Sequence, residues 1–214
     1  MKAVKIKNLL ESLELEQSFA VQGWVKTFRA NKFIALNDGS SLENLQCVIN
    51  FEKLEYSLLK RINTGAAIYI EGVLVKSQGS GQKTELQVSE LKIIGDSDPE
   101  KYPIQPKKHT LEFLREKAHL RIRTVTFAAI MRVRSALSFA VHKFFQNEGF
   151  FYVNTPIITG SDAEGAGEMF RVTTFDIIDP PVDEKGFPDF KKDFFGKETN
   201  LTVSGQLEAE SYAL

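Results

Sequence analysis

The chain has 214 residues, of which 43% are hydrophobic and 17 are phenylalanine, enough for packed cores in one or two domains and enough to exclude wholesale disorder. The formal net charge of -1 predicts no nucleic-acid partner by itself, and the single cysteine, Cys47, excludes an intrachain disulfide and fits a reducing compartment. The N-terminus lacks a signal-peptide pattern and no apolar run approaches membrane-spanning length, so we expect a cytoplasmic protein without a membrane partner.

The first hundred residues predict a small β-barrel. A short helix is expected at 4–14, with an apolar side formed by Val4, Leu9, Leu10 and Leu13. From Phe19 the apolar period changes to two, which predicts five strands at 19–28, 32–38, 45–51, 67–77 and 84–94. Between the third and fourth strands, helical spacing is shown by Phe51, Leu54, Leu58, Leu59 and Ile62. This order favours a five-stranded OB-fold barrel over another small β-sandwich.

Three residues of the predicted barrel could contact a nucleic acid. OB-folds bind oligonucleotides on the face of their second and third strands by aromatic stacking and polar edge contacts. Phe33 could stack on a base, Gln46 could read its edge, and Arg29 could meet a phosphate or a base. In a chain this rich in phenylalanine, the alternative that Phe33 belongs to the barrel core is favoured by the residues alone.

A proline-rich, charged linker follows, and a domain boundary is expected near Pro103. Positions 107 to 134 then carry eight Lys or Arg against Glu112 and Glu116, a local excess of six. Clustered cations are typical of a phosphate-contacting segment, but most charge runs are solvated connectors. The residues support the two interpretations equally.

One long helix is predicted at 127–147, followed by Gly149 as its terminating glycine. Next comes an apolar, aromatic strand starting at Phe150 and interrupted by Pro156, which predicts a sheet edge or a subunit boundary. The polar, glycine-hinged loop after it carries Asp162, Glu164 and Glu168. Together these features suggest a scaffold that presents a gated site.

Residues 173–200 have no clean period and are interpreted as an insertion, after which a buried strand at 201–205 and a helix from 206 are expected. Gln206 and Glu210 are four apart and should share one helical face. No metal-ligand spacing, phosphate-binding loop or nucleophile triad is present in the sequence. Glu164, Ser204 and Gln206 could hold the ammonium group of a small zwitterion, although a solvated loop and a helix cap are favoured by the residues alone.

Four segments resemble the asparaginyl-tRNA synthetases of the aspartyl, asparaginyl and lysyl group of class II synthetases. They are YPIQPKKHTLEFLREKAHLRIRT as the hinge, EGFFYVNTPIIT as class II motif 1, SDAEGAGEMFRV as the loop that closes over the amino acid, and DFFGKETNLTVSGQLEAE. The last segment points to the asparaginyl branch. The resemblance implies an α+β chain with an OB-fold anticodon-binding domain at 1–103, a basic hinge at 104–124 and an incomplete class II antiparallel-sheet catalytic domain at 125–214.

The resemblance also implies residue roles. Phe33 and Gln46 match the positions that stack on and read the central anticodon uridine, with Arg29 nearby, although two more residues separate Phe33 from Gln46 than in the shortest aspartyl enzymes. The tRNA hinge would include Lys107, Lys108, Arg121 and Arg123, and the dimer interface Phe150 and Pro156.

For the amino-acid site, the resemblance assigns the substrate ammonium to Glu164, Ser204 and Gln206. Aspartyl enzymes place a lysine three residues after that glutamine, where this chain has Ala209. Glu210 adds a negative charge nearby, which would repel aspartate and could accept from an asparagine amide.

The implied activity is that of an asparagine–tRNA ligase, which uses ATP and Mg²⁺ to activate asparagine and transfers it to tRNA(Asn) as a homodimer. The family's motifs 2 and 3, with the arginines for ATP, should lie beyond Leu214, so no catalytic residue is expected within these positions and this length alone should be inactive. The alternative is a non-catalytic OB-fold RNA-binding protein or a synthetase-derived fragment.

Overall fold

The structure is a computed structural model that describes residues 1–50, 52, 55–79, 81–162 and 169–213. By their contacts these residues form two units, 1–138 and 139–214, which are treated separately below. The predicted functional limits at 103 and 124 are not tested by this division and stay a prediction. In chain order the helices and strands are α1 Ile6–Glu11, β1 Gln17–Arg29, β2 Phe33–Asn37, β3 Leu45–Val48, α2 Tyr56–Leu59, β4 Ala67–Lys76, β5 Thr84–Gly95, α3 Leu111–Glu116, α4 Val125–Asn147, β6 Ile158–Thr159, β7 Arg171–Val172, β8 Thr199–Leu201 and α5 Gln206–Glu210.

The five predicted strands close into a barrel of order β1-β2-β3-β5-β4, with β4 also pairing with β1. The pairings are antiparallel except between β3 and β5, which run parallel. Alternation along each strand sends one set of side chains inward, and burying that apolar set drives closure. The fully buried core includes Val21, Ile34, Leu36, Leu45, Cys47, Ile68, Ile70, Leu74 and Leu86. The predicted OB-fold is confirmed.

Both short helices of the barrel unit are shorter than the sequence predicted. In α1, Ile6 and Leu9 are buried in the barrel core, while Leu13 lies beyond the helix and is 95% exposed. The expected apolar side of that helix is therefore wrong at Leu13. Helix α2 is a single turn, and two residues of its predicted stripe, Phe51 and Leu54, lie outside the described residues.

The long helix α4 ends at the predicted Asn147 but begins at Val125, two residues before the predicted start, and two local signals set its ends. At its start, the Thr124 hydroxyl accepts a hydrogen bond of 3.3 Å from the backbone N–H of Phe127, as an N-cap residue does. At its end, Gly149 has φ of 85°, and the N–H of Phe150 donates to the carbonyl of Phe145 at 3.0 Å. The rings of Phe145 and Phe150 also pack edge to face, the apolar contact that accompanies this type of helix end.

The second unit contains a three-stranded antiparallel sheet of order β6-β8-β7. Two sequence predictions are wrong there. Residues 150–157 form no strand. The Ile157 carbonyl accepts from the backbone N–H of Thr202 at 2.9 Å beside the β6–β8 pairing, but residues 150–156 have no β-pairing with any described residue, and a strand needs a hydrogen-bonded neighbour. The expected buried strand at 201–205 is instead Thr199–Leu201, and Leu201 is 41% exposed.

Burial differs sharply between the two units. Among the described residues, every buried hydrophobic side chain lies at or before Leu114 in the chain. In the second unit, the buried residues among those described are polar, Asp193 and Thr199. Since apolar burial is the main favourable contribution to folding, the first unit carries the hydrophobic core of the described chain.

Candidate functional site

The outer face of the barrel brings the three predicted nucleic-acid residues together. In the strand register Arg29 lies opposite Phe33, Phe33 opposite Val48, and Ala35 opposite Gln46. Directly opposed residues of paired strands point to the same face of the sheet. Phe33 and Gln46 are half-buried, whereas their neighbours in sequence, Ile34 and Cys47, are fully buried inside.

Phe33 therefore lies outside the barrel core. The sequence alone had favoured a core position for this residue. It is absent from the buried cluster, and the ammonium of Lys32 lies over its ring, 5.4 Å from the centroid. Three residues connect β1 to β2: Ala30 and Asn31 have φ of 50° and 49°, and the backbone N–H of Lys32 donates to the carbonyl of Arg29 at 3.0 Å. Arg29, Phe33 and Gln46 give this face a cation, an aromatic ring and an amide, the groups that contact single-stranded nucleic acid.

The amide of Gln46 is held by β5. Its nitrogen donates to the carboxylate of Glu85 at 3.2 Å, and Glu85 is only 5% exposed. Sequence reasoning missed Glu85, because the parallel pairing that places it opposite Gln46 joins segments almost forty residues apart and leaves no local signal.

The hinge residues of the first unit are anchored to the barrel. The guanidinium of Arg123 lies 3.8 Å from the ring centroid of Trp24, and the ammonium of Lys26 donates a hydrogen bond to the backbone carbonyl of Arg123. Burial, and secondly the charge of Arg123, lowers the pKa of Lys26. Arg121 lies over the ring of Phe127 at 4.6 Å.

The four predicted hinge cations are therefore not equivalent. Lys107 and Lys108 are exposed and free to meet a phosphate backbone, whereas Arg121 and Arg123 are half-buried and stacked on aromatic rings. A stacked arginine still presents N–H groups at the edge of its plane, so stacking and phosphate contact are compatible.

The predicted amino-acid residues of the second unit meet at the start of α5. The Ser204 hydroxyl accepts from the backbone N–H of Gln206 at 3.1 Å, and the Gln206 amide nitrogen donates to Glu210 at 3.3 Å. Gly205 lies between them, and a Cβ there would overlap the Thr155 hydroxyl oxygen, so a larger residue would force Thr155 to move. The shared face of Gln206 and Glu210 is confirmed, while Glu164 lies outside the described residues.

Asp193 organises the segment between β7 and β8. Its carboxylate accepts from the Thr173 and Thr174 hydroxyls at 2.6 and 2.7 Å and from the backbone N–H of Thr174 and Phe194 at 3.0 and 2.8 Å. These hydrogen bonds, that of Thr173 first, lower the pKa of Asp193 well below its usual range. Within the segment interpreted as an insertion, the residues that directly follow β7 are thus joined to Asp193 by defined polar contacts.

In the described part of the chain, no three His, Cys, Asp or Glu side chains converge where they could hold a metal ion, so we assign no residue to Mg²⁺. Within the same residues, no helix is long and apolar enough to cross a membrane.

Two family models match the chain. Residues 19–94 match the OB-fold nucleic acid binding domain, and residues 110–181 match the class II tRNA synthetases (D, K and N). The first covers the barrel described above, and the second covers α3, α4 and the beginning of the second unit. The predicted combination of an OB-fold with the start of a class II domain is confirmed.

Curated relatives match over the whole chain. The asparagine–tRNA ligase of Cytophaga hutchinsonii is 55% identical over 219 residues, covering 100% of this chain and 47% of the relative. That of Nostoc is 52% identical over 98% of this chain and 46% of the relative. The chain thus spans a little under half the length of the curated relatives that it matches.

Solved structures show the same fold. An asparaginyl-tRNA synthetase from Pyrococcus horikoshii complexed with asparaginyl-adenylate superposes with a TM-score of 0.76 at 22% identity, covering 99% of this chain and 45% of that one. An Entamoeba histolytica asparaginyl-tRNA synthetase, also with asparaginyl-adenylate, gives 0.70 at 23% identity, covering 94% and 42%. At these identities the likeness establishes the fold alone.

Proposed function

We propose that this chain, similar along its whole length to the N-terminal portion of asparaginyl-tRNA synthetases, is the part of an asparagine–tRNA ligase that binds the anticodon of tRNA(Asn) and supplies one side of the asparagine site. The observation that carries the proposal is the convergence of Arg29, Phe33 and Gln46 on one outward face of an OB-fold barrel. A face of this kind suits a short single-stranded loop, which is what an anticodon offers.

Each side chain of that face has a role that its chemistry supports. The Phe33 ring is accessible for stacking on the central uridine, and the Gln46 amide is placed to contact the edge of the same base. Arg29 is exposed at the end of β1, where a phosphate or a base could reach its guanidinium. The exposed Lys107 and Lys108 would extend the contact along the tRNA backbone.

Binding of an anticodon stem-loop to the 214-residue chain tests the anticodon role. We expect a stem-loop with uridine at the central position to bind more tightly than the same stem closed by a short unrelated loop. Arg29→Ala should weaken binding and, if Arg29 meets a phosphate, reduce the dependence of affinity on salt concentration by about one ion. Equal affinity for the two loops contradicts the proposal.

On the amino-acid side, we propose that Ser204 and Gln206 contribute to the ammonium site and that Glu210 disfavours aspartate. Because the Gln206 nitrogen faces Glu210, the amide oxygen of Gln206 is turned away and can accept from an ammonium group. Ala209 offers no cation to pair with an aspartate carboxylate, and Glu210 would repel one.

The ligase activity is tested with the protein encoded by the whole reading frame. We expect asparagine-dependent exchange of pyrophosphate into ATP in the presence of Mg²⁺, and Glu210→Gln should raise the relative use of aspartate. Exchange that does not depend on asparagine contradicts the ligase proposal. Unchanged discrimination in Glu210→Gln contradicts only the role of Glu210.

RNA binding without chemistry is a second candidate for this length of chain by itself, and the burial pattern favours it. The hydrophobic core of the described residues lies in the barrel unit, which carries the proposed anticodon face. The second unit offers polar contacts but no buried apolar cluster of its own among those residues. Stem-loop binding without pyrophosphate exchange by the 214-residue chain would support this candidate.

We also propose that Phe150 and Pro156 lie at a dimer interface. Phe150 is 60% exposed and the adjoining Phe151 is 92% exposed, an apolar pair that a second copy would cover. Sedimentation of the protein from the whole reading frame tests this, with Phe151→Ser expected to shift a dimer toward the monomer. A monomer in the unaltered protein contradicts the proposal.

A further inference from the structure

Glu85 lies at the centre of a small polar network beneath the outer face of the barrel. One carboxylate oxygen accepts from the Gln46 amide at 3.2 Å and from the Ser77 hydroxyl at 3.1 Å. The other accepts from the Gln87 amide at 3.0 Å. Glu85 is nearly fully buried, so these three donors replace the water that the carboxylate would otherwise bind.

An ionised carboxylate can accept hydrogen bonds but cannot donate them, and this fixes the orientation of the Gln46 amide. A glutamine amide can rotate by half a turn and exchange its oxygen and nitrogen. With Glu85 beside it, the nitrogen must face the carboxylate, because the reverse orientation would set two acceptors against each other. The Gln46 oxygen then has no hydrogen-bond donor among the described residues and is available to a ligand on the outer face.

The orientation of the Gln46 amide matters because uracil and cytosine also differ by an exchange of a hydrogen-bond donor and an acceptor. On its pairing edge, uracil presents an N–H donor beside a carbonyl acceptor, whereas cytosine presents a ring-nitrogen acceptor beside an amino donor. A glutamine amide complements either base, depending on which way it is turned. A free amide would therefore read this edge without distinguishing uracil from cytosine.

We propose that Glu85 is a specificity-determining positioning residue, which locks the Gln46 amide in the orientation that accepts from the imino N–H of uracil and so rejects cytosine. The inference rests on the proposed anticodon role of the barrel face. Glu85 itself need not touch the RNA. Gln87 occupies the second carboxylate oxygen, so the lock is built on both sides of the group.

Glu85→Gln tests the lock, because a glutamine at this position can either donate to or accept from Gln46 and thus permits both orientations. We measure the affinity of the 214-residue chain for two stem-loops that differ only in uridine or cytidine at the central position. A bidentate base contact discriminates by roughly 5- to 150-fold, and we expect Glu85→Gln to reduce the ratio to within about threefold. The affinity for the uridine stem-loop should change by no more than about threefold, since half of the amide population remains correctly turned.

Three further variants make the result decisive. Glu90→Gln removes a negative charge from the same strand at an exposed position, and it should leave the ratio unchanged. Glu85→Met removes the acceptor altogether and should lose discrimination as Glu85→Gln does, which guards against a folding defect of one variant. Circular dichroism establishes that each variant is folded.

Gln46→Ala separates failure of the lock from failure of the proposed function. If Gln46→Ala loses discrimination while Glu85→Gln and Glu85→Met keep it, the lock is refuted and the anticodon role stands. If Gln46→Ala binds both stem-loops as the unaltered chain does, the reading of the base by Gln46 and the lock fail together. Loss of discrimination in all three variants, with Glu90→Gln unaffected, supports the inference.

Discussion

Phe33 and Ile34 are adjacent residues of β2 that point to opposite faces, and they allow RNA binding to be separated from stability. Phe33 is half-buried on the outer face, opposite Val48, and Ile34 is fully buried in the core. We predict that Phe33→Ala weakens binding of the uridine stem-loop and costs little stability. We predict that Ile34→Val costs stability and leaves the affinity unchanged.

The expected magnitudes follow from these environments. One stacked base is worth about 1–3 kcal/mol, so Phe33→Ala should weaken binding roughly 5- to 150-fold. Its stability cost is limited to lost cross-strand contacts, about 0.2–1 kcal/mol. Ile34→Val removes one buried methyl group and should cost about 0.5–1.5 kcal/mol. Phe33→Ala should therefore lose no more stability than Ile34→Val, so a loss of affinity in Phe33→Ala alone isolates the stacking contribution.

The assay is fluorescence anisotropy with a labelled stem-loop, together with urea unfolding of each variant. Binding is measured well below the unfolding midpoint so that all proteins are folded. Two results would refute the reasoning. Unchanged affinity in Phe33→Ala would mean that the ring does not stack on the loop, and a stability loss of about 3–5 kcal/mol would assign the ring to the core after all.

Three other predictions concern stability and reactivity. Arg123→Ala should shift the emission of Trp24, the single tryptophan, and cost about 0.5–2 kcal/mol, whereas an unchanged spectrum would contradict the stack. Burial raises the pKa of the Cys47 thiol, so a thiol reagent at pH 8 should label the native chain more than about 10³-fold more slowly than the unfolded chain; comparable rates would place Cys47 outside the core. The folded pKa of Asp193 is depressed, so its stabilisation is present above the ordinary value of 3.8 and is lost as the pH falls below it. Exchange of the Thr174 amide proton, corrected for its intrinsic rate, should accelerate on acidification toward pH 3, and Asp193→Asn should abolish that pH dependence.

The barrel was predictable because the apolar alternation that specifies each strand is contained within a short stretch of sequence. Alternation within each segment located all five strands, and the order of the segments identified the closure. The same alternation could not decide the environment of Phe33, since either face of a strand can hold an aromatic ring. Only the pairing register placed Phe33, Arg29 and Gln46 on one face.

The predictions failed where structure depends on distant partners. The apolar run at 150–156 has strand composition, but composition supplies no hydrogen-bonded neighbour, and none of the described residues forms a β-pairing with it. The register of β8 is likewise set by its pairing with β6 and β7 and not by the apolar residues at 201 and 203. Glu85 was missed for a related reason, because a glutamate in an alternating strand is indistinguishable from a solvated one until its parallel neighbour is known.

Glutamine–glutamate pairs occur in both proposed sites, and their burial gives them different consequences. A hydrogen bond to a charged group sheltered from water is worth about 1.5–3 kcal/mol. Buried Glu85 can therefore favour one orientation of the Gln46 amide over the other by a population ratio of more than about tenfold. Gln206 and Glu210 are exposed and four apart on a helix, where such a pair contributes only about 0.2–0.5 kcal/mol, a preference of roughly twofold. The Gln46 amide of the barrel face is thus oriented before any ligand binds, because Glu85 is held away from water. On the proposed function, Gln206 and Glu210 would reach comparable selectivity only when a bound ligand or further protein excludes water from Glu210, so the proposed asparagine recognition would require closure of the site and the proposed anticodon recognition would not.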